Sequence, residues 1–540
     1  MADIHLQVRP GTDAFCLAAM LAALVDEGRV DEAFLAEHAG NGEALFEQLE
    51  RIPIGDFCAR AGVAEADVRA AARLIGDAES VAILEDLGIQ QAPNSTLNSY
   101  LEKLLFILTG NFAKPGTMNI HTGVAGLGGD HPRITTTRAT GQRVISGLTP
   151  CNGIADEILT DDPQRLRAMI VESSNPAHSL ADSSRMREAL EALDLVVVID
   201  VAMTETARLA DYVLPAPSQF EKWEAGFFTL EFPDNAFQLR APVLEPLPGT
   251  LPEPEIHRRL VRAMGVLDDV DTDALNAAAR KSRAAFGEAL MALIGERPEL
   301  QRYAPLLAYE ALGPTLPDGA DAAAGLWFSA HVIAQMWPDS VRRAGHEGEG
   351  PALGEALFEA MLGSRHGMIF TRCEPQDTWR RMASADGRIN LSIPELLGEL
   401  AGLPDAPSGH DEAFPFVLSA GERRSSTANT IFRDPAWRRS DADAALHIHP
   451  DDAARLGLVG GSLARVTTRR GSVEAPVEVS DTLQPGWVTL PNGLGVSYPG
   501  ADGDEVHGVA PNELTSSDDR DWFAGTPWHK HVRAQVEAVV

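Results

Sequence analysis

Three short polar loops carry the residue types that grip a nucleotide. Residues 88–91, GIQQ, follow an apolar run at 80–84. Gly88 lets backbone approach a ligand closely, and the Gln91 amide can meet both donor and acceptor atoms of a base. Residues 173–179, SSNPAHS, follow a second apolar run and set Asn175 and Ser179 in a small-polar turn. Residues 200–206 follow a third. There Asp200 suits a ribose hydroxyl or a guanine edge. Thr204 suits a helix N-cap, whose free N–H groups would face a phosphate. Taken singly, each loop is equally well explained as a turn or a cap. In an open parallel sheet, however, ligands sit beyond the carboxyl ends of the strands. All three loops fall at such ends, which points to a nucleotide crevice.

A fourth polar stretch, GERRSSTANT at 421–430, pairs adjacent arginines with small hydroxyl residues. That mix suits phosphate or carbonyl groups, and equally a solvated basic turn. Residues 511–515 and 526–530 are further polar loops. The usual phosphate grips are missing: no GxGxxG follows a strand, and there is no GxxxxGK[ST]. GxSxG and HExxH are absent too, and the glycine run at 123–129 follows a loop. The four cysteines, at 16, 58, 151 and 373, lie far apart with no CxxC. They read as buried free thiols, not as iron–sulphur or zinc ligands. His529 and His531, at period two on one strand face, do not make a metal site on their own.

The elements around these loops set the architecture. Residues 1–265 alternate helix and strand, with strands expected at 4–8, 80–84, 166–171, 195–199 and 212–214. The run LVVVI at 195–199 is typical of a strand buried on both faces. Such alternation implies an α/β fold with a doubly wound, mainly parallel sheet. Residues 266–412, rich in Ala, Leu, Glu and Arg, read as a mainly helical insertion or linker, with helices at 323–336 and 353–362. Residues 413–540 switch to period two, with strands at 416–418, 445–448, 463–467, 473–479 and 487–490. Closely spaced short strands suggest a closed β-barrel. Three domains are therefore expected: 1–265, 266–412 and 413–540. The first segment opens in the middle of a β/α unit, so the chain reads as the C-terminal part of a larger enzyme.

Composition narrows the partners. At 540 residues the chain exceeds what one core supports. Its 44% apolar and 23% charged residues fit a soluble globular protein. A formal net charge of −33 argues against nucleic acid and against anionic membrane surfaces. No apolar run approaches the roughly 18 residues of a membrane span, and no signal peptide opens the chain, so a cytoplasmic location is expected.

The polar loops, in this order, resemble the molybdopterin oxidoreductases of the dimethyl sulphoxide reductase superfamily, most closely the formate-dehydrogenase-like branch. The similar pieces are PGTD at 10–13, LGIQQ at 87–91, LTGNFAKPGT at 108–117, SNPAHS at 174–179 and VVVIDVAMTETARLADYVLPA at 196–216. LSAGERRSSTANT from 418, LPNGLG from 490, PNELT from 511 and GTPWHKH at 525–531 follow. The resemblance implies a bis(molybdopterin guanine dinucleotide) cofactor carrying Mo or W, and a double-psi-like barrel closing over it. Matched by position, Gly11, Thr12, Gly88, Gln91, Asn175, Ser179, Asp200, Thr204 and Ser218 would line it, with Arg423, Ser426, Asn512 and Lys530 from the barrel.

The family's N-terminal part normally supplies a CxxCxxxC-type motif for a 4Fe-4S cluster, and the metal-ligating Cys, selenocysteine or Ser. Neither is in this chain, so a partner carrying them, an electron-transfer partner and a small-molecule substrate are expected. Formate-oxidising members place a basic residue near LGIQQ, where this chain has Glu85 and Asp86. The alternative is a non-catalytic subunit of the same fold without molybdenum.

Overall fold

The computed structural model describes residues 2–123, 135–226, 231–406, 411–422, 433–434, 436–437, 444–500 and 503–539. The first core forms around α1 (Asp13–Asp26), which is buried from Ala14 to Leu24 apart from Leu17. Its alanines keep it thin, so helices Ile54–Ala61, Glu65–Asp77 and α2 (Ser95–Leu108) pack closely against it. Phe15 meets Phe57 edge-on at 5.1 Å. Gly62, at φ +74°, ends its helix in the left-handed conformation that a side chain resists. Helix Pro394–Gly402 joins this core through Leu396, Leu397 and Leu400.

The sheet that carries two of the polar loops has three parallel strands. They are β1 (Ala168–Glu172), β2 (Leu195–Asp200) and β3 (Tyr212–Pro215), in that order. Ile170 sits beside Val197, and Val197 beside Tyr212. One face, with Val171, Val196 and Val198, packs on helices Ile154–Leu159 and α3 (Ser183–Glu191). On the other face, α4 (Glu253–Ala263) covers Ile199 and Leu214 with Ile256 and Leu260.

A third core is helical, from Thr272–Lys281 to Pro351–Gly363. It also takes Phe237 and Phe370 from the antiparallel strands Asp234–Arg240 and Met368–Arg372. The C-terminal unit is a closed six-stranded barrel. Its strands are β4 (Phe416–Glu422), β5 (Leu446–Ile448), β6 (Leu463–Thr467), β7 (Ser472–Val479), β8 (Trp487–Pro491) and β9 (Val532–Ala538). The order is β5-β7-β6-β9-β4-β8, with β5–β7 and β4–β8 parallel. Closure leaves the barrel no open sheet edge.

Three expectations need correction. Residues 4–8 and 80–84 form no ladder among the described residues, because no neighbouring strand lies beside them. Leu6 and Val8 still rest on the first core. His529 and His531 lie in the loop before β9 and not on a strand face. Cys16, Cys58 and Cys373 are buried free thiols, but Cys151 is exposed in the surface turn Cys151–Gly153. Packing also runs across long stretches of chain. Residues 237–239 belong with the helices that follow, and 389–403 with 14–108. An amphipathic pattern shows that a helix has an apolar face, not which partner covers it. No helix of the described residues is long and apolar enough to cross a membrane.

Leu21→Ala removes a fully buried side chain from the centre of α1. It should cost about 3 kcal/mol in urea unfolding followed by circular dichroism. Leu74→Ala, at a position 58% exposed, should stay within about 0.5 kcal/mol. Equal effects would contradict the packing described here.

Candidate functional site

The loops after β1 and β2 brace each other before they offer anything to a ligand. Asn175 is buried, and its Oδ1 accepts from Thr206 N (3.1 Å) and Thr206 Oγ1 (2.8 Å). Its Nδ2 donates to Glu205 Oε2 at 2.7 Å. Thr206 Oγ1 in turn accepts from Ala177 N. Ser179 is exposed and donates to Asn175 O. Asp200 Oδ1 accepts from Val201 N (2.6 Å) and Ala202 N (3.2 Å), closing an Asx turn. Burial pushes its carboxyl up, against those two N–H donors. Thr204 Oγ1 accepts from Ala207 N at 3.1 Å. It thus caps the turn that leads into a short 3-10 helix, Ala207–Leu209. At Thr204 the capping role is the one observed.

The barrel closes on these loops through a line of ion pairs. The carboxylate of Glu205 is held by Arg433 at 3.1 and 2.7 Å, in a two-point grip. It also accepts from Ser497 N at 3.0 Å. Arg433 donates further to Ser497 O. Burial alone would push the Glu205 carboxyl up. The Arg433 guanidinium, the Ser497 N–H and the Asn175 amide outweigh it and hold it at about 2. Beside this pair, Arg187 grips Glu513 (2.7 and 3.1 Å), and Arg470 reaches buried Asp182 at 2.6 Å. Asn512 Nδ2 donates to His178 O at 2.9 Å. Sequence reasoning picked Asn512 but missed Glu205, Arg433, Asp182 and Arg470. Only Glu205 stood within a quoted motif, one residue after Thr204.

A second meeting point joins the first core to the barrel. Gly11, at φ +77°, lies so close to the His531 ring that a Cβ there would be 2.6 Å from it, and 3.3 Å from Pro93. Thr12 donates to Arg9 O. Gln91 O accepts from Lys530 N at 2.9 Å, and Lys530 Nζ donates to Ala420 O and Gly421 O. Thr96 binds buried Asp521 through both its N–H and its hydroxyl. Gly88, between Asp86 and Gln91, has open space where a Cβ would stand. Next to Lys530, Trp528 Nε1 and His529 Nε2 are buried atoms with no hydrogen-bond partner among the described residues. Burial, with Lys530 and Arg533 as the nearby charges, pushes the His529 and His531 rings down to about 4.

Ser218 falls elsewhere. Its N–H goes to Glu221, at the edge of a cavity of about 820 Å³ lined by Pro217, Trp223, Glu253 and Tyr309. Arg423 and Ser426 lie outside the described residues. Among the described residues, no three His, Cys, Asp or Glu side chains come together as metal ligands.

Glu205 protonates near 4.5 when unfolded and near 2 when folded, so its contribution is complete above pH 4.5 and is lost as the pH falls toward 2. Arg433→Ala should cost about 1–3 kcal/mol in thermal unfolding at pH 7. Glu205→Gln should remove that acid-dependent component, and an unchanged acid profile in this variant would contradict the pairing. The two histidines act over a higher window. Their rings take protons near 6.5 when unfolded and near 4 when folded, so stability should fall as the pH drops from 6.5 to 4. A His529→Gln/His531→Gln double variant should flatten that window in a pH series of melting curves.

Comparison with known proteins matches two family descriptions. "Molybdopterin oxidoreductase" covers residues 1–246, and "Molydopterin dinucleotide binding domain" covers 416–533. The "Probable oxidoreductase YoaE" of Bacillus subtilis is 23% identical over 95% of this chain and 66% of its own length. The "F420-dependent formate dehydrogenase 2 subunit alpha" of Methanococcus maripaludis is 24% identical over 91% of this chain and 65% of its own. The "Nitrate reductase" of Symbiobacterium thermophilum is 25% identical over 90% and 62%. The chain thus spans just under two thirds of the length of these relatives. Among solved structures, the acetylene hydratase of Pelobacter acetylenicus shares the fold at TM-score 0.69 and 18% identity, over 100% of this chain and 72% of its own. The second matched region begins on β4 and ends on β9, the first spans the loops that meet the barrel, and the chain belongs to the molybdopterin oxidoreductase family, within the dimethyl sulphoxide reductase superfamily.

Proposed function

We propose that this chain is the cofactor-holding, C-terminal portion of a formate-dehydrogenase-like oxidoreductase using a bis(molybdopterin guanine dinucleotide) centre of Mo or W. The observation that carries the reading is the second meeting point. Gly88 leaves backbone bare in the 87–91 turn, and that turn meets the barrel where Lys530 N donates to Gln91 O. Next to Lys530 in the chain, the Trp528 indole N–H and the His529 ring nitrogen are buried without partners among the described residues. Orphaned polar atoms of this kind cost about 1–3 kcal/mol each unless something binds them. A polar, hydrogen-bonding cofactor fits that need.

When bound, the group supplies a metal that exchanges two electrons with a small substrate, while the 4Fe-4S cluster lies on a partner portion. The residues of this chain then do three things. Gly88 gives close access, Lys530 supplies positive charge, and neutral His529 and His531 supply ring nitrogens without adding charge. At the entry to the 87–91 turn, Glu85 is bound by Ser99 and Lys103. Burial pushes its carboxyl up, but its bonds to Glu102, Ser99 and Lys103 outweigh that and hold it down. An acidic residue here, already held by Lys103, in place of the basic one of formate-oxidising members supports a small substrate other than formate. A cytoplasmic place belongs to the same reading.

One observation favours the alternative, a subunit of this fold without molybdenum: Asn175, Thr204 and Asp200 meet their bonds internally. The deciding experiment is to purify the chain with its partner portion, then measure Mo and W by mass spectrometry and guanine nucleotide after acid hydrolysis. The expected result is metal and guanine nucleotide together, with both lost from Gly88→Leu. A folded protein carrying neither would establish the cofactor-free alternative.

A further inference from the structure

Helix α2 carries a polar stripe on an otherwise apolar body. Ser95, Asn98, Ser99 and Glu102 fall three and four residues apart, so they share one face, with Lys103 at its rim. Leu97, Leu101, Leu104, Leu105 and Leu108 bury the rest of the helix in the first core.

At one end of the stripe two carboxyls meet. Lys103 Nζ donates to Glu85 Oε2 at 3.0 Å and to Glu102 Oε2 at 3.3 Å. Ser99 Oγ donates to Glu85 Oε1. The Glu102 side chain is 9% exposed and that of Glu85 11%, whereas that of Lys103 is 53% exposed. Two bare carboxylates beside one ammonium leave a negative charge uncancelled where there is little water. Sharing one proton removes it. Burial, followed by the bond to Glu85, pushes the Glu102 carboxyl up. Among the described residues, Glu85 and Lys103 are the charged groups acting on Glu102. The proton therefore rests on Glu102, and Glu85 is its ionised partner.

At its other end the stripe reaches the 87–91 turn. Asn98 is fully buried, and its Nδ2 donates to Ile89 O at 3.4 Å and to Pro93 O at 3.2 Å. Its Oδ1 is buried with no partner among the described residues, and so is Ser95 Oγ. An orphaned acceptor and an orphaned hydroxyl on one helix face are sites for ordered water. Such water links the turn to Ser99, and Ser99 is already bonded to Glu85.

We propose that this face of α2 is a proton-transfer path between the 87–91 turn and the outer surface at Lys103, with the Glu85–Glu102 pair as its proton store. The proposal rests on the reading that the redox centre lies at that turn. Oxidation of a substrate there releases protons as well as two electrons, and reduction takes protons up. For a proton moving outward, Ser99 gives its hydroxyl proton to Glu85 Oε1 and takes one from the water behind it. The O–H bond formed on Glu85 is matched by the one that Glu102 gives up to solvent beside Lys103. The proton on Glu85 then crosses to Glu102, which restores the resting pair. Uptake runs the same hops in reverse.

The test uses the chain purified with its partner portion. Infrared spectra taken across the neutral pH range follow the carbonyl stretch of protonated carboxyls. A band that titrates in this range is expected, and Glu102→Gln should abolish it. Glu85→Gln removes the neighbouring negative charge, so the band should titrate at lower pH. The path is read by mixing the metal-loaded complex with reduced methyl viologen in weakly buffered indicator dye. Glu102→Gln and Ser99→Ala should slow proton uptake about tenfold or more, while electron entry, followed by viologen absorbance, is unchanged. Ser99→Thr, which keeps the hydroxyl, should restore fast uptake. Glu102→Gln, a change of nearly equal size, carries the test should Ser99→Ala not fold.

The absence of a titrating band overturns the proposal, as does a band that persists in Glu102→Gln. So does proton uptake as fast in both slowed variants as in the unmodified protein. Metal content is measured on the same material. Metal with no titrating band overturns the path alone. A titrating band without Mo or W overturns the cofactor reading, and the path's inner end with it, while the proton-sharing pair stands.

Discussion

The carboxylate of Glu205 is where the two halves of the candidate site are tied. It receives the Asn175 amide from the loop after β1, both arms of Arg433, and the Ser497 N–H from the hairpin strand Val496–Gly500 that follows β8. One side chain therefore sets the distance between two sheet-end loops and also docks the barrel on them. A partly buried charge pair of this kind tolerates little change. Removing either partner leaves the other charge poorly solvated, whereas the intact pair has its acceptors filled by donors of fixed geometry. The neighbouring pairs, Arg187–Glu513 and Arg470–Asp182, extend the same logic along the seam.

With that seam fixed, the meeting of the first core and the barrel follows. Gly11 can sit against His531 only because it has no side chain, and Gln91 O reaches Lys530 N only because the two loops are brought together. Most polar groups at the seam are satisfied within the protein. Those that are not, on Trp528 and His529, stand beside Lys530. Structural bracing and ligand capacity are thus separated in space. The loops after β1 and β2 mainly hold the frame, and the 87–91 and 528–531 loops carry the unfilled capacity.

Much of this was legible along the chain. The strands around 195–199 and 212–214 show as apolar β-branched runs, and the barrel strands as period-two segments between glycine and proline turns. Strand 463–467 lies where its sequence pattern puts it. The small-polar loops were legible as well, because Asn, Thr, Gly and Asp advertise turns and caps by local chemistry. Their roles were less so. Thr204 and Asp200 look from sequence like ligand groups, yet their oxygens serve their own turns. The segments 4–8 and 80–84 have the alternation of strands but not the ladder, since a strand is completed by its neighbour.

The sequence by itself determined which segments are helical or extended, which positions must be glycine, and where small polar loops fall, because these depend on residues a few positions apart. Only the tertiary structure decided that helix Pro394–Gly402 belongs with α1. It alone matched Arg433 to Glu205 and left Leu84 and Ile170 bare. Those outcomes depend on which surfaces, hundreds of residues apart, meet and exclude water, and no local pattern encodes the partner.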